Sequence, residues 1–366
     1  MVKILLAFGT RPEAIKMCPL VLELKKRKGA EVVVCVTGQH REQLDQVLRV
    51  FKVVPDYDLN IMQDRQTLFG ITTRVLNGMK EVLEKEKPDI VLVHGDTSTA
   101  FATAVAAFYL RIPIGHVEAG LRTHNLYAPF PEEFNRKCIA VPARWNFAPT
   151  EWCRMNLLLE GTKPESIYVT GNTVIDAMQT TVRVDYTHRI LAWAFKDDLI
   201  FLTAHRRENI GEPMRRIFRA VQRVVNCHKH VRVVYPVHRS PDVRKIAKEE
   251  LSAWDRIMLV EPLDVIDCHN IMARSHMILT DSGGIQEEAT ALGIPTLVLR
   301  DTTERPEGID AGTLKLVGTN EEQIFREFSR LLDDEWEYNR MAQAGNPYGD
   351  GHASEKIADI LLGGGA

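Results

Sequence analysis

Short apolar runs and longer amphipathic stretches alternate along the whole chain. Residues 2–8, 32–36, 89–94 and 113–117 are nearly uninterrupted apolar runs, with shorter ones at 145–148 and 166–169. A second series covers 199–203, 231–235, 257–260, 276–280, 295–299 and 314–317. Runs this short and this apolar suit strands buried on both faces. Between them apolar residues recur at helical spacing, as in Met17, Leu20, Val21 and Leu24, or Ile217, Phe218, Val221 and Val224. The spacing predicts helices over 67–86, 99–110, 213–225, 320–332 and 353–362. Another begins at Thr10-Arg-Pro-Glu13, a capping-box pattern with proline in the first turn. Residues 125–134, NLYAPFPEEF, break the rhythm and read as a functional loop.

Strand–helix alternation of this kind predicts an α/β fold with parallel, doubly wound sheets. The two series predict two Rossmann-like domains, residues 1–171 and 172–351, with a cleft between them. The boundary is placed at Gly171-Asn-Thr173, where the pattern restarts. Ligands of such sheets bind beyond the carboxyl ends of the strands. Arg11, Asp96, Glu118, His205, His238 and Ser282 all follow apolar runs directly.

Composition narrows the classes of function. With 366 residues the chain is long enough for two cores. A net charge of −3 supplies no field that would recruit nucleic acid or an anionic membrane, so anion binding must come from local clusters. The six cysteines, at 18, 35, 138, 153, 227 and 268, form no C-x-x-C pair and no zinc spacing, so reduced thiols and no metal site are expected. The first apolar run is too short for a signal peptide, and no run approaches the ~20 residues of a membrane span. A cytoplasmic protein without a membrane partner is expected.

The chemistry concentrates at the predicted strand ends. Within 279–308, an apolar run leads into Asp281-Ser-Gly-Gly284 and a helical stretch from Ile285. Ser282 is a natural N-cap, and Gly283 and Gly284 leave the backbone N–H groups of the first turn bare, which suits an anion. Glu287 and Glu288 stand one turn further in, where a carboxylate accepts from ribose hydroxyls, and Arg305 follows the next strand as a phosphate contact. An ordinary β–α turn with packing glycines is the plain alternative. Arg11 and Lys16 flank the start of the first helix and fit a diphosphate, or simply its solvated face. Asp96, Glu118 and Glu132 form a carboxylate set suited to acid/base work. Against that, Asp96 could cap its helix, and Glu132 and Glu133 could merely open theirs. His205, beside Arg206 and Arg207, fits phosphate contact or proton transfer. No G-x-G-x-x-G follows any strand, so no dinucleotide cofactor is expected, and no G-x-x-x-x-G-K-[ST] marks a P-loop enzyme.

Taken together the motifs resemble the non-hydrolysing UDP-N-acetylglucosamine 2-epimerases. The matching pieces are GTRPEAIKM at 9–17, TGQHREQLDQVL at 37–48, HGDT at 94–97, HVEAGLRT at 116–123 and PFPEEFNR at 129–136. They continue with AHRREN at 204–209, YPVH at 235–238, TDSGGIQEEA at 280–289 and RDTTERPEG at 300–308. The resemblance implies a two-domain GT-B arrangement, with the terminal helix, 352–366, returning to the first domain. It also implies reversible epimerisation at C2 of UDP-GlcNAc to UDP-ManNAc through elimination to 2-acetamidoglucal, with neither cofactor nor metal. The product would feed cell-surface polysaccharide synthesis. Asp96, Glu118 and Glu132 would share the acid/base steps and His205 would sit near the β-phosphate. Arg11, Lys16, Ser282, Gly283, Gly284, Glu288 and Arg305 would hold UDP. A second UDP-GlcNAc would act as an allosteric activator at Gln43, Gln46, Arg65, Arg206 and His238, and a homodimer is implied. A glycosyltransferase of the same fold, a nucleotide-sugar sensor and a hydrolysing epimerase are the rival readings.

Overall fold

The computed structural model describes residues 1–38, 41–63 and 66–363. Arg65, one of the expected activator contacts, lies outside them. The chain divides into two units, Met1–Thr180 with Tyr348–Ala366, and Thr181–Pro347. Each is an α/β unit built on a parallel sheet, the class that the strand–helix alternation predicts.

In the first unit β1 (Val2–Phe8), β2 (Ala30–Val36), β3 (Tyr57–Asp58), β4 (Ile90–His94), β5 (Ile114–Val117), β6 (Ala143–Ala148) and β7 (Ile167–Val169) lie in the order β3-β2-β1-β4-β5-β6-β7. All neighbours are parallel. The strand order therefore reverses between β1 and β4, and the carboxyl ends at that point form the usual ligand crevice of a doubly wound sheet. The central strands are buried on both faces, Ile4–Phe8 and Val91–Val93 being fully inaccessible. That is why they read as continuous apolar runs.

The second unit repeats the plan. Its strands are β8 (Asp198–Thr203), β9 (Val231–Pro236), β10 (Ile257–Val260), β11 (Met277–Thr280), β12 (Thr296–Val298) and β13 (Leu314–Leu316), in the order β10-β9-β8-β11-β12-β13. The switch point here falls between β8 and β11. The helix Glu212–Cys227 buries Ile217, Phe218, Val221 and Val224 against this sheet, the face its spacing predicts.

The division between the units falls after Thr180, not at Gly171. The helix Thr173–Thr181 stays with the first sheet, because its leading edge is tied to the chain's return: Asn172 N donates to Tyr348 O at 2.7 Å, and Asp176 accepts from Ser354 N at 2.7 Å. From there the helix Ala353–Leu362 packs on Arg11–Lys26, where Arg27 Nη1 lies 2.9 Å from Asp359 Oδ1. Among the described residues no helix is long and apolar enough to cross a membrane.

Candidate active site

Three strand ends of the first unit build one polar cluster. At the end of β1, Thr10 Oγ1 accepts from Glu13 N at 3.5 Å, while Glu13 Oε2 accepts from Gly9 N at 3.0 Å and Thr10 N at 2.8 Å. This closed capping box fixes the start of Arg11–Lys26. Burial pushes the Glu13 carboxyl up to about 7, against the hydrogen bonds from Thr97, Gly9 and Thr10 that favour its charge. Arg11 is half-buried at the first helical position, and Lys16 is buried on the second turn.

Lys16 does not stand apart from the carboxylates. Its Nζ pairs closely with Glu118 Oε2, at the end of β5. The same oxygen accepts from Asn172 Nδ2 at 3.0 Å and lies 3.7 Å from His94 Nε2. His94 Nε2 has no hydrogen-bond partner among the described residues, and burial holds the imidazole neutral, its pKa down to about 4. Glu118 itself sits at φ +63°, a left-handed conformation that costs a non-glycine residue energy. Such a position persists only where its surroundings over-determine it, and here three groups converge on one carboxylate oxygen.

Asp96 follows β4. The capping role open to it in the sequence belongs to Thr97, whose Oγ1 accepts from Ala100 N at 3.0 Å to start the helix Ser98–Tyr109. Asp96 is instead paired with Arg136 Nη2, while Asn135 Nδ2 donates to its backbone carbonyl at 2.8 Å. Arg136 Nη1 also lies 3.3 Å from Glu133 Oε2. Glu133 is fully buried and accepts from Thr123 N at 3.1 Å and His124 N at 3.0 Å, so it braces the proline-rich loop. Its neighbour Glu132 is half-buried on the first turn of Glu132–Ala140. The two adjacent glutamates thus have different surroundings, Glu133 fully buried and Glu132 half-buried.

The second unit holds its cluster around Asp281, at the end of β11. Asp281 is fully buried and accepts from His205 N at 3.1 and 2.9 Å, Arg206 N at 2.9 Å and Asn209 Nδ2 at 2.9 Å. It thereby pins the 204–209 loop. His205 is partly exposed and stacks on His238, with ring centroids 5.1 Å apart at 11°. Burial, followed by the charge of His205, lowers the His238 pKa, and its Nδ1 accepts from Ser240 N at 3.1 Å.

Ser282 is the N-cap of the helix Gly283–Ala291, but its side chain makes no capping bond. A Cβ on Gly284 would meet only Glu288 Oε1, at 3.9 Å. The helix start is therefore open at Gly284, whereas Gly283 is packed against the Arg305 guanidinium. Glu288 lies mostly buried, 3.5 Å from His269 Nε2. Arg305 sits in a buried ion-pair network. It is 7% exposed, with Nε donating to Glu287 Oε1 and Nη1 to Glu304 Oε1, both at 2.6 Å. Burial works against the Glu304 charge, yet Arg305, Arg300 and Arg206 together hold its pKa far below the usual carboxylate range. Arg305 is thus tied to Glu287 and Glu304 beside the backbone of Gly283.

The activator residues divide between the units. Gln43 is half-buried and Gln46 exposed on the helix Arg41–Phe51 of the first unit, whereas Arg206 and His238 belong to the second. Sequence reasoning passed over Asn172, His94, Arg136, Asp281 and Glu304. His94 and Asp281 carried a usable signal, since each is a polar residue closing or directly following an apolar run. Asn172 and Glu304 carried none, because their partners are remote in sequence.

Comparison with known proteins identifies the family. The family profile described as UDP-N-acetylglucosamine 2-epimerase matches residues 22–362. A Bacillus subtilis protein named UDP-N-acetylglucosamine 2-epimerase is 58% identical over 360 residues, 98% of this chain and 95% of its own. The Neisseria meningitidis UDP-GlcNAc 2-epimerase, solved bound to UDP-GlcNAc, is 48% identical with a TM-score of 0.94, covering 99% of this chain and 100% of its own. A Staphylococcus aureus protein solved with UDP is 53% identical with a TM-score of 0.94, covering 99% of this chain and 96% of its own. With a two-sheet Rossmann-like fold in common and matches running nearly end to end, the chain belongs to the UDP-N-acetylglucosamine 2-epimerase family.

Proposed function

We propose that the chain interconverts UDP-GlcNAc and UDP-ManNAc by removing and re-adding UDP, with no oxidation step. The observation that carries the reading is the two ion pairs Lys16–Glu118 and Arg136–Asp96, whose carboxylates follow neighbouring strands of one sheet. C2 of the sugar is not adjacent to a carbonyl, so its proton is not acidic by itself. Inversion therefore proceeds through loss of UDP. A carboxylate takes the C2 proton, the C2–H electron pair becomes the C1=C2 bond of 2-acetamidoglucal, and UDP leaves with the C1–O pair. A proton then returns to the opposite face of C2 while a phosphate oxygen of UDP adds to C1. Atoms and electrons balance without a co-reactant.

Asp96, Glu118 and Glu132 share the proton transfers. Charge developing on the departing diphosphate is met by Arg11 and Lys16, by His205, and by the backbone N–H groups of Ser282, Gly283 and Gly284, a pre-set field that costs no reorganisation at the moment of reaction. Glu288 takes the ribose. Arg305, braced by Glu287 and Glu304, is a further contact to UDP. A second UDP-GlcNAc at Gln43, Gln46, Arg65, Arg206 and His238 acts as activator, and the enzyme works as a homodimer supplying UDP-ManNAc for cell-surface polysaccharide. Incubation with UDP-GlcNAc and proton NMR of the products tests the reading. UDP-ManNAc in equilibrium with UDP-GlcNAc is expected, whereas free N-acetylmannosamine, or sugar transferred to an acceptor, would replace it with a rival.

A further inference from the structure

Asn172 stands where two segments of the first unit cross, and the reaction scheme above makes no use of it. Gly171 at φ +90° and Gly349 at φ +117° face each other so closely that a Cβ on Gly349 would fall 3.0 Å from Gly171 Cα. Only glycines allow backbones to pass at that separation. The approach lets Asn172 N donate to Tyr348 O at 2.7 Å. Its side-chain oxygen accepts from Val174 N at 3.0 Å. With the backbone and the amide oxygen both held, Nδ2 points one way, to Glu118 Oε2 at 3.0 Å. The crossing is fastened further along by Asp176, which accepts from Ala353 N at 3.3 Å and Ser354 N at 2.7 Å.

We propose that Asn172 is a positioning residue for Glu118, held in place by the returning Tyr348–Gly349 segment. It aims the carboxylate and favours its ionised form by donating to it. The proposal rests on the reading of Glu118 as an acid/base group. Among the described residues, titratable groups facing Glu118 include Lys16 from the first helix, His94 from β4 and His116 from β5, and both histidines are buried and neutral. Lys16 supplies the charge. Asn172 supplies a donor of fixed direction, which the long lysine side chain alone does not.

The test is Asn172→Asp, which keeps the size and the acceptor toward Val174 N but turns the donor facing Glu118 into a second carboxylate oxygen. Glu118 is followed directly by ¹³C NMR titration of glutamate carboxyl carbons, assigned by its loss in Glu118→Gln. Its titration should move up by about one pH unit or more. In parallel the acid limb of kcat/KM should move up by a similar amount, with kcat/KM at neutral pH falling at least about tenfold. Asn172→Ser, which retains a short hydroxyl donor, should move both less, and matching thermal melts identify the effect as local. An unmoved Glu118 titration in folded Asn172→Asp would overturn the proposal. So would a moved titration with an unmoved rate profile while Glu118→Gln is inactive. Full activity in Glu118→Gln is a separate outcome: it removes the acid/base reading of Glu118, and with it any catalytic purpose for this contact.

Discussion

The backbone of Gly283 lies directly against the guanidinium of Arg305, so that a Cβ there would meet Nη1 at 2.4 Å. Arg305 has nowhere to go, because Glu287 and Glu304 hold it at 2.6 Å each. Gly283→Ala should therefore cost about 1–3 kcal/mol, the usual penalty for overpacking. Calorimetry should show a melting temperature lower by several degrees for a unit of this size. Gly284→Ala is the contrasting case. Its Cβ meets only Glu288 Oε1, at 3.9 Å, so the melting temperature should hold. The added methyl crowds the bare helix start instead, and UDP affinity measured by titration calorimetry should fall. Equal losses of stability in both variants would show that the two glycines do the same job.

The proton chemistry has an isotopic signature. If a carboxylate removes the C2 proton and a solvent-exchanged acid returns one, UDP-ManNAc formed in D₂O should carry deuterium at C2 from the first turnovers. Mass spectrometry and loss of the C2 proton signal would report it. Protium retained at C2 throughout equilibration would rule out elimination.

The carboxylate set can be tested by isosteric amides. Asp96→Asn, Glu118→Gln and Glu132→Gln keep side-chain size but remove the proton-carrying group. Each should lower kcat by at least ~10²-fold, the scale of general acid/base groups. Glu133→Gln should behave differently. Glu133 is fully buried and holds the backbone of Thr123 and His124, so its loss should first appear as a lower melting temperature. UDP binding should survive in the Glu132 variant, which belongs to no phosphate contact.

Acid should weaken the first unit through its buried histidines. Burial lowers the pKa of His94 to about 4 and of His116 to about 3 from an ordinary 6.5. Between these limits the unfolded chain binds protons that the native state refuses. Their stabilising effect is thus complete above pH 6.5 and lost as pH falls toward about 4 for His94 and about 3 for His116, at up to about 1.4 kcal/mol per pH unit for each histidine. Glu13 works in the other direction. Its native pKa, raised to about 7 by burial, lets the folded state gain a proton that the unfolded state releases until about 4.5. Denaturant titrations at pH 7.5, 6 and 5 should show falling stability, and Glu13→Gln should make the fall steeper. A Glu13→Gln slope equal to that of the parent would mean that Glu13 stays ionised when buried.

Much of this was legible before any coordinates. The doubly wound sheets could be read because strands buried on both faces leave continuous apolar runs, and the strand ends of such sheets are where ligands go. Asp96, Glu118, His205 and Ser282 were singled out as candidates by their position after apolar runs. What escaped was whatever depends on partners distant in the chain. Nothing local says that Lys16 reaches Glu118, that Asn172 is aimed by Tyr348, or that Arg305 faces inward to Glu287 and Glu304. The division after Thr180 was missed for the same reason: the hydrophobic rhythm restarts at Gly171, but hydrogen bonds to Tyr348 and Ser354 keep the next helix with the first sheet. The short β3, at Tyr57–Asp58, has too few residues for a period to register.

The proposed activator gives the last prediction, and the structure changes which residue should be replaced to test it. A ligand that engages one conformation better than another shifts the population toward the first, by no more than its differential affinity. If a second UDP-GlcNAc does this, the reverse reaction should reveal it, since pure UDP-ManNAc begins without the activator. Turnover should start slowly and accelerate as UDP-GlcNAc accumulates, and a trace of UDP-GlcNAc added at the outset should abolish the lag. His238→Ala is a poor probe, because His238 stacks on His205 at 5.1 Å and its removal would disturb a residue assigned to the phosphates. Gln46 is the better one. It is exposed on the helix Arg41–Phe51, whose buried side carries Leu44, Val47, Leu48 and Phe51, so truncating it leaves that packing intact. Gln46→Ala should lengthen the lag and raise the UDP-GlcNAc concentration that removes it, by about tenfold if one good hydrogen bond is lost. UDP affinity should change much less. Reverse turnover at full rate from the first measurement, in the parent enzyme and without added UDP-GlcNAc, would leave no activation for these residues to explain.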